Sequence, residues 1–180
     1  MIEKAKQFAE KAHQGQKRKN SDTDYIIHPI QVAATLKSAG YREEVICAGY
    51  LHDVVEDTMY ELADIEREFT KKVRDLVAAH TEDKSKSWQE RKQHTVDNVR
   101  MGSLEVKCLI VADKLDNLLS LEKDFERDGD ALWKHFNAGY LQQKWYNTSI
   151  AENMTKGITS GDIPEFFHVY QETVDRFFQK

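Results

Sequence analysis

Apolar positions along the chain recur with the period of a helix, and polar breaks separate one apolar stripe from the next. Ile2, Ala5, Phe8, Ala9 and Ala12 share one face, which predicts a first helix to about His13, ended by Gly15. Gln16 to Asp24 has no apolar residue and reads as an exposed loop. Tyr25-Ile26-Ile27 returns to the core, and His28-Pro29 opens a second helix that Ile30, Val32, Ala33, Ala34 and Leu36 carry to Gly40. A third helix is predicted over about Glu43 to Val55, with a new turn at Thr58 and short helices over Glu61 to Phe69 and Lys71 to Ala79. His80 to Ser87 reads as a polar connection, and Trp88 to Met101 as a charged, mostly exposed helix. Ser103 suits the N-cap of a very apolar helix over Val106 to Leu121, and Glu122 to Asp130 reads as a charged loop. Two more helices are expected, over about Ala131 to Met154 (with a break allowed for) and Pro164 to Phe178.

No stretch alternates with the period of a strand, and no repeat or linker divides the chain. The expected fold is all-α: a helical bundle forming a single domain over 1–180. Its motif-bearing core covers about 1–125, and the helices of 131–180 pack back through Phe166, Phe167, Val169, Tyr170, Val174 and Phe177. Only 2 Pro and 8 Gly in 180 residues agree with that class.

Charge changes the picture only locally. A net charge of -5 gives no general attraction to DNA, RNA or anionic membranes, so an anionic ligand needs a local basic patch or a metal ion. Arg18-Lys19 lies in the one such cluster. Cys47 and Cys108 lie in apolar stretches and read as buried reduced thiols. Met1-Ile2-Glu3-Lys4 opens no signal-peptide run, and no stretch approaches the roughly 18 apolar residues of a membrane span, so a cytoplasmic protein is expected.

The candidate chemistry comes from polar residues placed where core residues belong. They are His28 at the start of the second helix, His52-Asp53 within the third, and Asp113 after Leu109, Ile110, Val111 and Ala112. A bare carboxylate or imidazole there costs several kcal/mol, so each needs a partner. Singly, each also has a structural reading as a capping, paired or salt-bridged residue. Together, two imidazoles and two carboxylates form a mixed N/O set for a divalent ion: Mn²⁺ suits it, and Fe²⁺, Zn²⁺ and Mg²⁺ remain open. His13, His80, His94, His135 and His168 read as surface or packing residues. Glu56 and Asp57 stand four residues after His52 and Asp53, on the same helical face, and Asn117 and Ser120 follow Asp113 along one stripe. A divalent ion beside a carboxylate pair is what hydrolysis of a phosphate ester or anhydride requires.

These residues resemble the H…HD…D signature of the HD-domain metal-dependent phosphohydrolases. Four ordered motifs are similar to the hydrolase domain of the RelA/SpoT alarmone family, in particular its small stand-alone members. They are His13-Gln14-Gly15-Gln16-Lys17-Arg18-Lys19, Tyr25-Ile26-Ile27-His28-Pro29, Leu51-His52-Asp53-Val54-Val55-Glu56-Asp57-Thr58 and Ala112-Asp113-Lys114-Leu115-Asp116-Asn117. The resemblance implies an HD-domain helical bundle and a Mn²⁺ ion held by His28, His52, Asp53 and Asp113. It implies a phosphorylated guanosine nucleotide as substrate: removal of the 3′-pyrophosphate of ppGpp or pppGpp, the chemistry that ends a stringent response. Glu56 and Asp57 then serve the attacking water, and Arg18, Lys19, Asn117 and Ser120 meet the substrate. The chain departs from that family in the loop Asn20 to Asp24, at Asp116, where an aromatic or histidine is usual, and at Leu119, where arginine is usual. The loop and Leu119 motivate a second reading, an HD phosphohydrolase for another phosphorylated nucleotide or cofactor; a third, of another class, is a non-catalytic nucleotide-binding module stabilised by a metal, against which the Glu56-Asp57 pair argues.

Overall fold

The computed structural model describes residues 1–178. Helix α1 (Ile2–Ala12) lays Ala5 and Ala9 into the core, and α2 (Ile27–Ser38) follows the polar loop. Next come α3 (Glu43–Leu51), the single turn α4 (Val54–Asp57), α5 (Leu62–Glu68) and α6 (Lys71–His80). α7 (Trp88–Met101) and α8 (Leu104–Asp128) lead through a 3₁₀ segment, Gly129–His135, into α9 (Tyr140–Met154) and then α10 (Glu165–Phe178). No strand occurs among the described residues, which bears out the all-α expectation.

Local chemistry explains most boundaries. Ser87 and Glu90 close a capping box at the start of α7: Ser87 Oγ accepts from the Glu90 amide at 3.2 Å, and Glu90 Oε2 accepts from the Ser87 amide at 2.8 Å. Ser103 caps α8 and Thr70 caps α6 in the same way, each accepting an amide of the first turn. A Cβ on Gly49 would lie 3.0 Å from Ala33 Cα and 2.9 Å from Leu36 Cδ1, so the glycine lets α3 press against α2. That close approach sets His28 and His52 side by side.

Two expected boundaries are corrected. The third helix does not run unbroken to Val55. It stops at Leu51, with His52 and Asp53 between α3 and α4, because the His52 Nδ1–H donates to the Gly49 carbonyl at 2.7 Å and competes with the backbone ladder. Glu122 to Asp130 is not a loop through most of its length. It continues α8 to Asp128, because Leu118, Leu121 and Phe125 prolong the apolar stripe. Arg176 of α10 grips Glu122 with two bonds, at 2.8 and 2.9 Å, and the Phe125 and Phe177 rings meet edge to face.

Every α-helix sends at least one side chain into one buried cluster, α4 through Val54 and α5 through Ile65 alone. Phe166, Phe167, Tyr170, Val174 and Phe177 of α10 are buried as expected, whereas Val169 is exposed. Tyr170 donates to Asn147 Oδ1 at 2.7 Å, pinning α10 to α9. Cys47 and Cys108 are buried free thiols, and burial pushes both up to about 11.

Lys107 is the buried polar residue with the clearest structural task. Its ammonium donates to the carbonyls of Val99, Arg100 and Lys156 at 2.5, 3.0 and 2.7 Å, which satisfies the end of α7 and ties it to the segment after α9. Lys107→Met strands these carbonyls in the interior. The expected loss is about 2–4 kcal/mol of unfolding free energy in a urea titration, with the helical content of the folded state unchanged.

Candidate functional site

The tightest polar cluster lies where α2, the α3–α4 junction and α8 meet. His28, His52 and Asp113 are 1%, 0% and 2% exposed, and Asp53 is 8% exposed. His28 Nε2 lies 3.2 Å from His52 Nε2 and 3.0 Å from Asp113 Oδ1. His52 Nε2 lies 3.0 Å from Asp53 Oδ2 and 3.6 Å from Asp113 Oδ1, and His28 Nε2 lies 3.6 Å from Asp53 Oδ2. The sequence-predicted set of four is thus brought together around one point. His28, His52 and Asp113 satisfy the mutual spacing of a metal-ligating group, and Asp53 presents one oxygen to both imidazoles.

Hydrogen bonding on the far side of each ring fixes what faces inward. His52 Nδ1 meets the Gly49 carbonyl, which can only accept, so Nδ1 carries a proton. His28 Nδ1 meets Asp116 Oδ2 at 2.5 Å, so it too carries one. Each neutral ring then turns a bare Nε2 lone pair inward, and two carboxylate oxygens face the same point. Four convergent lone pairs repel one another unless a cation lies among them. Protons are one solution. Burial opposes charge on both rings, but Asp113 and Asp116 raise His28 above the ordinary imidazole range, and Asp53 and Asp113 raise His52 well above it. A divalent ion is the other solution, and the donor set of two imidazole nitrogens and two carboxylates fits one.

The outward oxygen of Asp113 is also held. Oδ2 accepts from Lys114 Nζ at 2.7 Å and from His80 Nε2 at 2.8 Å, while Oδ1 accepts from Asn117 Nδ2 at 2.7 Å. His80 was expected at the surface or in ordinary packing; instead it is 8% exposed and its ring meets His52 edge to face at 4.8 Å. The sequence signal was there, since His80 closes the apolar stripe Val73, Leu76, Val77. Burial lowers the affinity of His80 for a second proton despite Asp113, so it stays a neutral donor. His13 is buried too, bonded to Gln16, while His94, His135 and His168 are exposed as expected. Tyr25 donates its hydroxyl to Asp53 Oδ2 at 2.5 Å, a second partner absent from the sequence reading.

Two cavities open from this cluster. A smaller one of about 170 Å³ is lined by Asp53, Glu56, Asp57, His80 and Asp113. Glu56 is half-buried in it, and burial raises its carboxyl above the ordinary glutamate value although Oε2 accepts the Glu82 amide at 3.1 Å. Asp57 differs: it is exposed, and Lys84 Nζ lies 3.1 Å from its Oδ1. A larger cavity of about 290 Å³ is lined by Arg18, Lys19, Asn117 and Ser120, four residues singled out in sequence. It is also lined by Lys92, Lys114, Trp88, Phe136 and Tyr146, which were not. Tyr25, Lys92, Lys114 and Asn117 line both cavities, so the two are contiguous. Lys92 and Lys114 lie in ordinary charged or family-like stretches of sequence, and only folding aims them inward. Leu119 lines neither cavity and is 36% exposed, so its departure from the resembled family falls on the outer face of α8.

Comparison with known proteins agrees with this geometry. The HD domain family matches residues 5–142. Over 119 residues, 64% of this chain and 66% of the relative, the chain is 40% identical to a Drosophila melanogaster protein named guanosine-3′,5′-bis(diphosphate) 3′-pyrophosphohydrolase MESH1. A crystal structure of a Listeria monocytogenes protein superposes with a TM-score of 0.81 at 51% identity, covering 85% of this chain and 94% of that one. A second structure, described as a metazoan ortholog of SpoT that hydrolyses ppGpp, has a TM-score of 0.77 at 28% identity, covering 97% and 93%. The sequence motifs, the convergent His and Asp side chains and the match over most of its length establish that the chain belongs to the HD domain family.

Proposed function

We propose that the chain is a metal-dependent hydrolase that removes the 3′-pyrophosphate of guanosine alarmones, converting ppGpp or pppGpp to GDP or GTP and pyrophosphate. The observation that carries this reading is the cluster of four inward lone pairs beside a buried carboxyl and a basic, aromatic-lined cavity. The names and titles of the relatives support the same substrate. His28, His52, Asp53 and Asp113 would hold the ion, and Mn²⁺ suits this borderline set. When bound, such an ion acidifies water and offsets charge on phosphoryl oxygens.

The chain's own residues supply the rest. Glu56 takes a proton from the attacking water, and its raised carboxyl value makes it a better base at neutral pH than an exposed glutamate. The new bond joins water oxygen to the phosphorus on O3′, and the O3′–P bond breaks. O3′ leaves as a hydroxyl, its proton balancing the one given to Glu56. Asp57 orders the water side of the same cavity from its more exposed position. Arg18, Lys19, Lys92 and Lys114 offset phosphate charge, while Asn117 and Ser120 offer hydrogen bonds along the α8 wall. The faces of Trp88, Phe136 and Tyr146 suit a purine ring. With its buried thiols, the reading is of a cytoplasmic, single-domain enzyme acting on a nucleotide and on no nucleic acid or membrane.

Purified protein with Mn²⁺ should release pyrophosphate from ppGpp with a higher kcat/KM than from other phosphorylated nucleotides assayed in parallel. Asp53→Ala should be inactive, and Glu56→Gln should lose about 10²–10⁴-fold in kcat. No turnover with any of Mn²⁺, Mg²⁺, Fe²⁺ and Zn²⁺ would refute the reading. In the wild type, activity should fall as pH drops through the raised Glu56 value, an acid limb above the ordinary glutamate value that Glu56→Gln removes.

Metal binding should itself depend on pH. Because the aspartates raise His28 and His52 above the ordinary imidazole value, the ion must displace their protons at pH values where free imidazoles would already be neutral. Mn²⁺ affinity should therefore rise with pH while the two rings lose their protons and level off once both are neutral. Calorimetry in buffers of different ionisation enthalpy should detect net proton release; a pH-independent affinity would contradict it.

A further inference from the structure

Asp116 is one of the residues next to the cluster that the proposed chemistry does not use. It stands in α8, three residues after Asp113, where the resembled family has an aromatic or a histidine. Its Oδ2 lies 2.5 Å from His28 Nδ1 and 3.6 Å from Arg18 Nη2. The first contact is a strong hydrogen bond; the second is too long for one. The carboxylate is therefore committed to the histidine, although it lies beside an arginine. Its side chain is 25% exposed, so the pairing is not forced by deep burial.

The inward Nε2 of a histidine can donate to an ion only when the proton sits on Nδ1. Left alone, a neutral imidazole populates both tautomers and turns about its side-chain bonds. An acceptor on Nδ1 removes that freedom, and a charged acceptor also enriches the electron density at Nε2. The two histidines of the cluster differ in this respect. His52 is oriented by a backbone carbonyl, the oxygen of Gly49, whereas His28 is oriented by a carboxylate. Asp116 therefore makes His28 the stronger donor of the pair, from a position on the same helix as Asp113. Among the described residues, the Arg18 side chain makes long contacts to Asp116 and to Asn117 Oδ1 at 3.4 Å, and it lines the larger cavity.

We propose that Asp116 is a positioning residue that fixes the Nδ1–H tautomer and orientation of His28 and so strengthens divalent-ion binding at the cluster. This inference rests on the metal-site part of the function proposed above and not on the identity of the nucleotide. The test is titration of the full-length chain with Mn²⁺ alone, followed by calorimetry, with thermal melts of each metal-free variant in parallel. Asp116→Ala should raise the Kd for Mn²⁺ by about 10–100-fold. Asp116→Asn, whose amide oxygen can still accept from Nδ1 without the charge, should fall between the two. The metal-free melting temperatures should not track the series, which a merely structural role would require. If Asp116→Ala melts too low to titrate, Asp116→Asn against wild type decides the matter. A Kd unchanged in both variants overturns the inference while leaving the metal site standing. A wild type that binds no Mn²⁺ overturns both. Normal Mn²⁺ binding that weakens in the series, with ppGpp left intact, upholds the inference and removes only the substrate assignment.

Discussion

Everything near the site follows from one electrostatic constraint: four lone pairs, two from imidazoles and two from carboxylates, are aimed at one buried point. Such an arrangement cannot persist without positive charge at its centre, so the fold must supply either protons or an ion. The surrounding structure is consistent with that demand. Gly49 permits the helix approach that sets the two rings together, and a carbonyl and a carboxylate behind the rings dictate which nitrogen faces inward. Lys114, His80 and Asn117 hold the two oxygens of Asp113, and Tyr25 holds one of Asp53. Burial penalises charge on Lys114, but Asp113, Tyr146 and Glu82 outweigh it and keep its ammonium protonated. A charged lysine beside the cluster helps balance its excess of negative charge without entering it.

The sequence made the cluster legible because misplaced polarity is conspicuous. Asp113 after four apolar residues, and His52-Asp53 inside a core helix, each violate the pattern around them. Helix periodicity likewise placed most elements, since a 3.6-residue repeat of apolar positions survives in the text. Residues that obey the pattern while acting elsewhere were harder to read. His80 completes an amphipathic stripe, so nothing in the text separates it from a packing residue until Asp113 is found opposite. Lys92 belongs to a charged helix and points inward only because α7 packs beside α8 and α9. The Glu122–Asp128 stretch looked like a loop because its charges outnumber its apolar residues. Two apolar residues, Leu121 and Phe125, in register were enough to keep it helical against α10.

The broken third helix shows how a local competition shapes chemistry. A side-chain proton on the Gly49 carbonyl loosens the backbone ladder where His52 meets Asp53. Consecutive residues of a regular helix diverge by about 100° around its axis. Here both side chains nevertheless address one centre, with Oδ2 and Nε2 3.0 Å apart. Glu56, in the turn that follows, then faces the same cavity.

The length of α8 carries a different lesson. Between Asp113 and Asp128 the helix advances about 22 Å. At its far end Asn20 donates to Asp128 Oδ2 at 2.9 Å and Arg127 donates to the Asn20 carbonyl at 3.2 Å, anchoring the loop that bears Arg18 and Lys19. Lys19 rests over the Phe136 ring just beyond. One helix thus holds the loop at two places, Arg18 beside Asp116 and Asn117 near the cluster and Asn20 at Asp128. A shift in the register of this one helix would therefore move the cluster and the loop together.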